Sequence, residues 1–178
     1  MSGTNGQVTG AKILNNTAIA PWWANGLRVA GGRGVEVRNN LVNSVSSNSA
    51  LDIGVFGDTG HPLESAEISG NTLIGGGGWN GVRIGSPNSA SLFPDAYTHV
   101  TLSGNVMRGA FRAGLFIDLT WVDVTLRNNT IDRPAEQGIL IGAGVIGTGR
   151  FVGNTVTNLR PGQVAQRNDS PSTFRITD

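Results

Sequence analysis

The chain has 178 residues, 27 glycines, no cysteine and a formal net charge of +1 at pH 7. The length suits one domain, and the near-neutral charge gives no electrostatic case for nucleic acid or an anionic membrane as a partner. Without cysteine there are no disulfides and no thiolate metal site, and no apolar run reaches the length of a membrane-spanning helix.

One pattern recurs six times along the chain: an alternating strand, a polar turn at an asparagine, and a second alternating strand that usually opens with glycine. The turn asparagines are Asn16, Asn40, Asn71, Asn105, Asn129 and Asn154, with spacings of 24, 31, 34, 24 and 25 residues. A period near 24 with alternating strands predicts an all-β fold, a right-handed parallel β-helix of about six coils that together bury one continuous core. We expect the asparagines to form a hydrogen-bonded ladder along the axis, and asparagine suits the turn because it tolerates the left-handed region.

In chain order, residues 1–10 read as a lead-in and the whole of 1–178 as a single β-helix domain. The predicted coils span about 10–33, 34–64, 65–98, 99–121, 122–147 and 148–170, and 171–178 forms a terminal strand or tail. Residues 1–6 lack the charged-then-apolar pattern of a signal peptide. No amphipathic helix caps either end of the array, so we expect residues 1–10 and 168–178 to cover the ends, another chain to cover them, or, as we favour, the sequence to be part of a longer β-helix.

Two long insertions follow the glycine strands of coils 2 and 3, so they should lie side by side on one edge of the solenoid. Loops inserted into repeats tend to map to the binding face. Asp58 and His61 belong to the first insertion and Asp95 to the second, and we count them as candidate substrate-binding residues. No spacing among them is typical of a metal site, and no cofactor is expected.

Alternation in the glycine strands places one residue of each coil in an outward column. The column is Arg28, Asp52, Arg83, Phe116 and Leu140. It predicts either a surface ion-pair ladder or the floor of a sugar-binding site. Two positions further on, Asp118 stands between glycines with room around it and no obvious partner, and Asp52 with Asp118 is a weak candidate for a catalytic carboxylate pair.

The aromatic residues Trp22, Trp23, Trp79 and Phe111 follow their turn asparagines by six to eight residues, so they should share one lateral edge. Tryptophan there could stack on sugar rings, seal the turn against the core, or cover an interface. Of these four residues, Trp79 is the candidate for substrate binding.

The segment Asn15-Asn-Thr-Ala-Ile-Ala-Pro-Trp-Trp-Ala-Asn-Gly-Leu-Arg-Val-Ala-Gly-Gly-Arg33 resembles a coil of the mycodextranase/α-1,3-glucanase glycoside hydrolases, and Pro62-Leu-Glu-Ser-Ala-Glu-Ile-Ser-Gly-Asn-Thr-Leu-Ile74 resembles the next. The resemblance covers about residues 10–165 and implies a secreted β-helix enzyme acting on α-glucans, with this chain as its C-terminal half. That family has adjacent catalytic aspartates on a rung before these coils and a histidine where this chain has Asp52. No catalytic residue can therefore be carried over.

Two functions follow as expectations. The first is a carbohydrate-active β-helix, a partial one related to polysaccharide hydrolases; the second is a non-catalytic glycan-binding or structural solenoid that stacks end to end. The expected partner is a polysaccharide or oligosaccharide, with self-association through uncapped ends and an extracellular or cell-surface location for the parent protein.

Overall fold

A computed structural model of the chain describes residues 8–19, 25–45, 47–54, 62–75, 78–85, 97–109, 111–119 and 121–178. These residues form 19 strands and no helix, and every strand pair is parallel. The strands form three sheets in which the neighbour of each strand is the strand three further along the chain. The chain therefore winds as a three-faced parallel β-helix, as the asparagine period predicted.

Sheet I contains the strands that lead into the asparagine turns: β1 Lys12–Leu14, β4 Val35–Arg38, β7 Ser65–Ser69, β10 Thr98–Ser103, β13 Trp121–Arg127, β16 Ile146–Val152 and β19 Phe174–Thr177. Sheet II contains the strands that leave the turns: β2 Thr17–Ile19, β5 Leu41–Val45, β8 Thr72–Gly75, β11 Val106–Arg108, β14 Thr130–Asp132 and β17 Thr155–Thr157. Sheet III contains the glycine strands: β3 Leu27–Ala30, β6 Leu51–Gly54, β9 Asn80–Gly85, β12 Ala113–Asp118, β15 Gln137–Ile141 and β18 Val164–Asn168.

The repeating pattern predicted two strands in each coil, whereas the structure has three. The missed strands are those of sheet II, which are mostly three to five residues long and start directly after the ladder asparagine. Such short strands carry one or two inward residues, too few for alternation to be visible in the sequence. The sequence pattern therefore indicated the turn but not the strand that follows it.

Each sheet contributes at least one apolar column to the interior. Sheet I stacks Val37, Ile68, Leu102 and Leu126, sheet II stacks Val42, Leu73, Met107 and Ile131, and sheet III stacks Ile53, Ile84, Ile117 and Ile141. All twelve side chains are at most 2% exposed. Burial of these columns supplies most of the drive for stacking coils, because apolar area removed from water contributes roughly 25 cal/mol per Å².

The asparagine ladder runs without a break through all six coils. The side-chain nitrogen of each ladder asparagine from Asn16 to Asn129 donates to the side-chain oxygen of the next, at 2.9–3.0 Å. The backbone N–H of the same residue donates to that same oxygen. From Asn40 onwards, the second side-chain N–H donates to a carbonyl in the preceding coil. The amides from Asn40 to Asn129 therefore fill all four of their hydrogen-bonding positions while buried.

The sequence predicted that the ladder asparagine itself would adopt the left-handed conformation of each turn. In the structure, the residue before it does so instead. Positive φ values between 53° and 64° occur at Asn15, Asn39, Gly70, Gly104, Asn128 and Gly153. Only asparagine and glycine fill these positions, the two residue types that adopt this conformation at least cost. In each Asn-Asn or Gly-Asn pair of the sequence, the first residue adopts the left-handed turn conformation. The second residue forms the hydrogen bonds that link neighbouring coils.

Candidate functional site

The outward column of sheet III has the predicted register. Arg28 is paired with Asp52, Asp52 with Arg83, Arg83 with Phe116, and Phe116 with Leu140. Asp52, however, is only 3% exposed, so the expected surface ion-pair ladder is wrong at this residue. The strands preceding the two insertions, β6 and β9, are neighbours in sheet III, as the argument from the insertion points required.

Burial raises the pKa of the Asp52 carboxyl. The positive charges of Arg83 and Arg28 and a hydrogen bond from Asn25 oppose this shift, while the negative charge of Asp118 adds to it. Asn25 Nδ2 donates to Oδ2 of Asp52 at 3.0 Å. The other oxygen, Oδ1, is buried and has no hydrogen-bond partner among the described residues. The Asp52 carboxyl therefore keeps its proton to a higher pH than an exposed aspartate does. One of its two oxygens lacks a hydrogen bond among the described residues.

Asp118 has a partner, contrary to the expectation from sequence. Its Oδ2 accepts a hydrogen bond from Nη2 of Arg83 at 2.7 Å, and both side chains are partly buried. Gly85 packs closely against Asp118, since a Cβ added to Gly85 would lie 2.6 Å from the Asp118 carbonyl oxygen and 2.8 Å from the Asp118 Cβ. Arg83 reaches Asp118 from the neighbouring column of the same sheet.

Arg83 is the centre of this cluster, which we call the Arg83 cluster and define as Arg28, Asp52, Arg83, Phe116 and Asp118. Its guanidinium lies 5.9 Å from the centroid of the Phe116 ring, a favourable cation–π arrangement. Its Nε is buried without a partner among the described residues. Two of the three such atoms found in the described part of the chain therefore belong to paired residues of this column, Asp52 and Arg83.

The predicted aromatic edge separates into two environments. Trp79, directly before β9, has 62% of its surface exposed, whereas Phe111 is 1% exposed and packs in the core against Gly75. Phe111 is thus a core residue and not a platform for a ligand. Trp79 stands four residues before Arg83 in the chain, at a bend directly before β9. Trp22 and Trp23 lie outside the described residues.

The loop candidates Asp58, His61 and Asp95 also lie outside the described residues. Within the described ranges, no group of three or more histidine, aspartate or glutamate side chains could hold a metal ion. No helix of the described residues is long and apolar enough to cross a membrane.

A second polar cluster, on the outer face of sheet I, was missed by the sequence reasoning. We call it the Asp123 cluster, and it consists of Tyr97, His99, Trp121, Asp123 and Thr148. A signal for it exists in the sequence: His99, Asp123 and Thr148 each stand six residues before a ladder asparagine, and Tyr97 and Trp121 each stand eight before one. Equal offsets place side chains on one face of one sheet.

The fold and these clusters define a class of protein, a parallel β-solenoid that displays polar and aromatic side chains on two of its three outer faces. The chain belongs to the right-handed β-helix family, since the sequence model of the family described as "Right handed beta helix region" matches residues 1–175. That match also confirms the expected handedness. No curated protein and no solved structure matches the chain.

Proposed function

We propose that the outer face of sheet III binds a polysaccharide, with the Arg83 cluster and Trp79 as the contact surface. The observation that supports this most strongly is the pair of buried, unsatisfied polar atoms, Asp52 Oδ1 and Arg83 Nε, at paired positions of one column. An unpaired buried polar group costs about 1–3 kcal/mol. A hydroxyl group both donates and accepts, so a ligand hydroxyl that displaced the groups covering these two atoms would satisfy both.

The chemistry around these atoms favours a sugar over other ligands. Two arginines stand against two aspartates, so the cluster has no strong excess of either charge. A carboxylate or a guanidinium group can form hydrogen bonds to two adjacent hydroxyls at once. The rings of Phe116 and Trp79 offer apolar surface for the faces of sugar rings. Binding of such a ligand is consistent with an extracellular or cell-surface parent protein.

Hydrolysis of the bound glycan is a second candidate, and one observation favours it. Glycosidases pair a carboxylic acid that stays protonated with a second carboxylate, and burial raises the pKa of Asp52 close to Asp118. In this scheme Asp52 gives its proton to the glycosidic oxygen as the bond to the anomeric carbon breaks. Asp118 takes a proton from the water whose oxygen forms the new bond to the anomeric carbon; Asp118 then releases this proton to solvent, and solvent returns a proton to Asp52.

Binding is tested by affinity electrophoresis in gels containing dextran, α-1,3-glucan or polygalacturonate, and hydrolysis by release of reducing ends from the same polymers. We expect retardation by a neutral α-glucan that is about tenfold weaker in Trp79→Ala and in Arg83→Met. The matched control is Glu67→Gln, which changes an exposed carboxylate on sheet I and should bind like the parent. Equal migration in every gel would disprove the proposal.

The variants Asp52→Asn and Asp118→Asn distinguish glycan hydrolysis from glycan binding alone. Release of reducing ends that both substitutions abolish while binding survives would establish hydrolysis. Binding without release in the parent protein would establish a non-catalytic glycan-binding solenoid.

A further inference from the structure

The Asp123 cluster joins side chains from three neighbouring strands of sheet I. Oδ1 of Asp123 accepts hydrogen bonds from the Tyr97 hydroxyl, at 3.0 Å, and from the Thr148 hydroxyl. Oδ2 lies 3.4 Å from Nδ1 of His99, so the opposite ring nitrogen of His99 is not held by Asp123. His99, Asp123 and Thr148 are register partners, which brings them together at the rung spacing of roughly 4.8 Å. Asp123 therefore orients three neighbours, although its own side chain is 39% exposed.

Two half-exposed aromatic rings border the cluster. The Tyr97 ring lies 6.4 Å from the Trp121 ring and 5.3 Å from the His99 ring. Trp121 is 39% exposed and Tyr97 is 37% exposed, so each presents apolar surface to solvent. Partial burial and the hydrogen bond to Asp123 raise the pKa of Tyr97, so its hydroxyl stays a donor well above neutral pH.

A shallow groove of about 360 Å³ runs from this cluster across β13, β16 and β19. Its polar lining consists of threonine hydroxyls, the Asp123 carboxylate, the His99 imidazole and the Arg150 guanidinium. Thr101, Thr125, Arg150 and Thr177 follow one another in register, so polar groups repeat at each rung along the axis. The rung spacing of roughly 4.8 Å is close to the length of one sugar unit in an extended chain.

We propose that this groove on sheet I is a second carbohydrate-binding site, which takes a neutral oligosaccharide along the solenoid axis. Trp121 and Tyr97 stack on one sugar ring, Asp123 and His99 bond its hydroxyls, and the threonine column bonds the following units. The lining of the groove holds one carboxylate, Asp123, and one guanidinium, Arg150, which favours a neutral ligand; the exposed Arg175, next to Thr148 in the same column, adds a second cation at the border. This site lies on a different sheet from the Arg83 cluster and does not depend on it.

Amide NMR of the full chain tests the site, with hexasaccharides cut from dextran and from α-1,3-glucan as neutral probes and hexagalacturonate as the acidic one. We expect a neutral hexasaccharide to shift the amides of β10, β13 and β16. The dissociation constant should rise about tenfold in Trp121→Ala and in Asp123→Asn. Circular dichroism of each variant verifies that the fold is kept, and Asp123→Asn preserves the shape of the side chain.

Two control variants separate this proposal from the one for sheet III. Asp169→Asn alters an exposed carboxylate outside the groove, and Trp79→Ala alters the sheet III face, so both should leave the sheet I shifts unchanged. Shifts confined to sheet III, no shift with either neutral probe at millimolar concentration, or tighter binding of hexagalacturonate would each overturn the inference. Loss of the sheet III shifts alone would overturn only the first proposal.

Discussion

At the scale of single residues, the ladder asparagines and Asp52 illustrate opposite ways of burying a polar group. Asn105 is 0% exposed and has every donor and acceptor filled. Asp52 is nearly as buried but keeps one oxygen unpaired beside Arg83. The first arrangement stabilises the fold, and the second costs stability at the place where we propose that a ligand binds.

Replacing Asn105 by alanine should lower the free energy of unfolding by about 3 kcal/mol or more, because buried partners in the two neighbouring coils lose their hydrogen bonds. Asn16→Ala is the matched control, since Asn16 is exposed at the first rung and should lose less than about 1 kcal/mol. Urea unfolding of the two variants measures the difference. Equal losses would mean that the ladder contributes no more in the interior than at its exposed end.

Asp52→Asn should change how stability depends on pH. Because burial raises the pKa of Asp52, the folded protein keeps this proton at pH values where the unfolded chain has released it. The stability associated with the protonated carboxyl is therefore complete below about pH 4 and is lost as the pH rises through the folded pKa. Relative to the parent, the asparagine variant should gain unfolding free energy from pH 4 to pH 7 in urea titrations; a pH-independent difference would contradict this.

At the scale of the strands, the glycine at or next to the start of four sheet III strands has a packing role: Gly26, Gly81, Gly114 and Gly138. It faces inward at the corner where sheets II and III meet. A Cβ on Gly114 would lie 2.4 Å from Ile131 Cγ2, and one on Gly138 would lie 2.7 Å from Val156 Cγ1. Glycine is required there because a sheet II side chain and a backbone carbonyl of the next coil fill the space, not because of an unusual backbone angle.

Gly114→Ala should therefore destabilise the protein by about 1–3 kcal/mol through overpacking. Gly104→Asn is the matched control, because Gly104 has a φ of +61° and no atom within 4 Å of an added Cβ. Asparagine occupies the equivalent turn position in other coils, so this change should be nearly neutral. Thermal unfolding of both variants measures the two losses of stability. A larger loss in Gly104→Asn than in Gly114→Ala would refute the packing explanation.

At the scale of the whole molecule, one apolar core extends from Val29 to Phe174 through all three sheets. Each coil rests on its neighbours, so stability is shared along the axis and is lowest where fewer neighbours remain. The strands differ accordingly: β9 is almost entirely buried, while the first four residues of β18 are exposed.

Hydrogen exchange should follow this gradient. We expect the hydrogen-bonded amides of β9 and β12 to exchange slowest, and those of β18 to exchange roughly a hundredfold faster, a difference of ~2.7 kcal/mol. Amide exchange followed by NMR at neutral pH measures both sets. Uniform protection along the axis would indicate that the chain opens only as a single unit.

The sequence by itself determined the parallel solenoid, its asparagine ladder and the sheet III column, because a two-residue alternation tied to a repeated turn fixes which side chains share a face. The tertiary structure alone decided that Asp52 is buried, that Arg83 reaches Asp118, that Phe111 enters the core and that Asp123 gathers Tyr97, His99 and Thr148. Those outcomes depend on side-chain reach across coils 24 to 35 residues apart and on how closely side chains pack against neighbouring glycines. Spacing along one strand carries no information about either quantity.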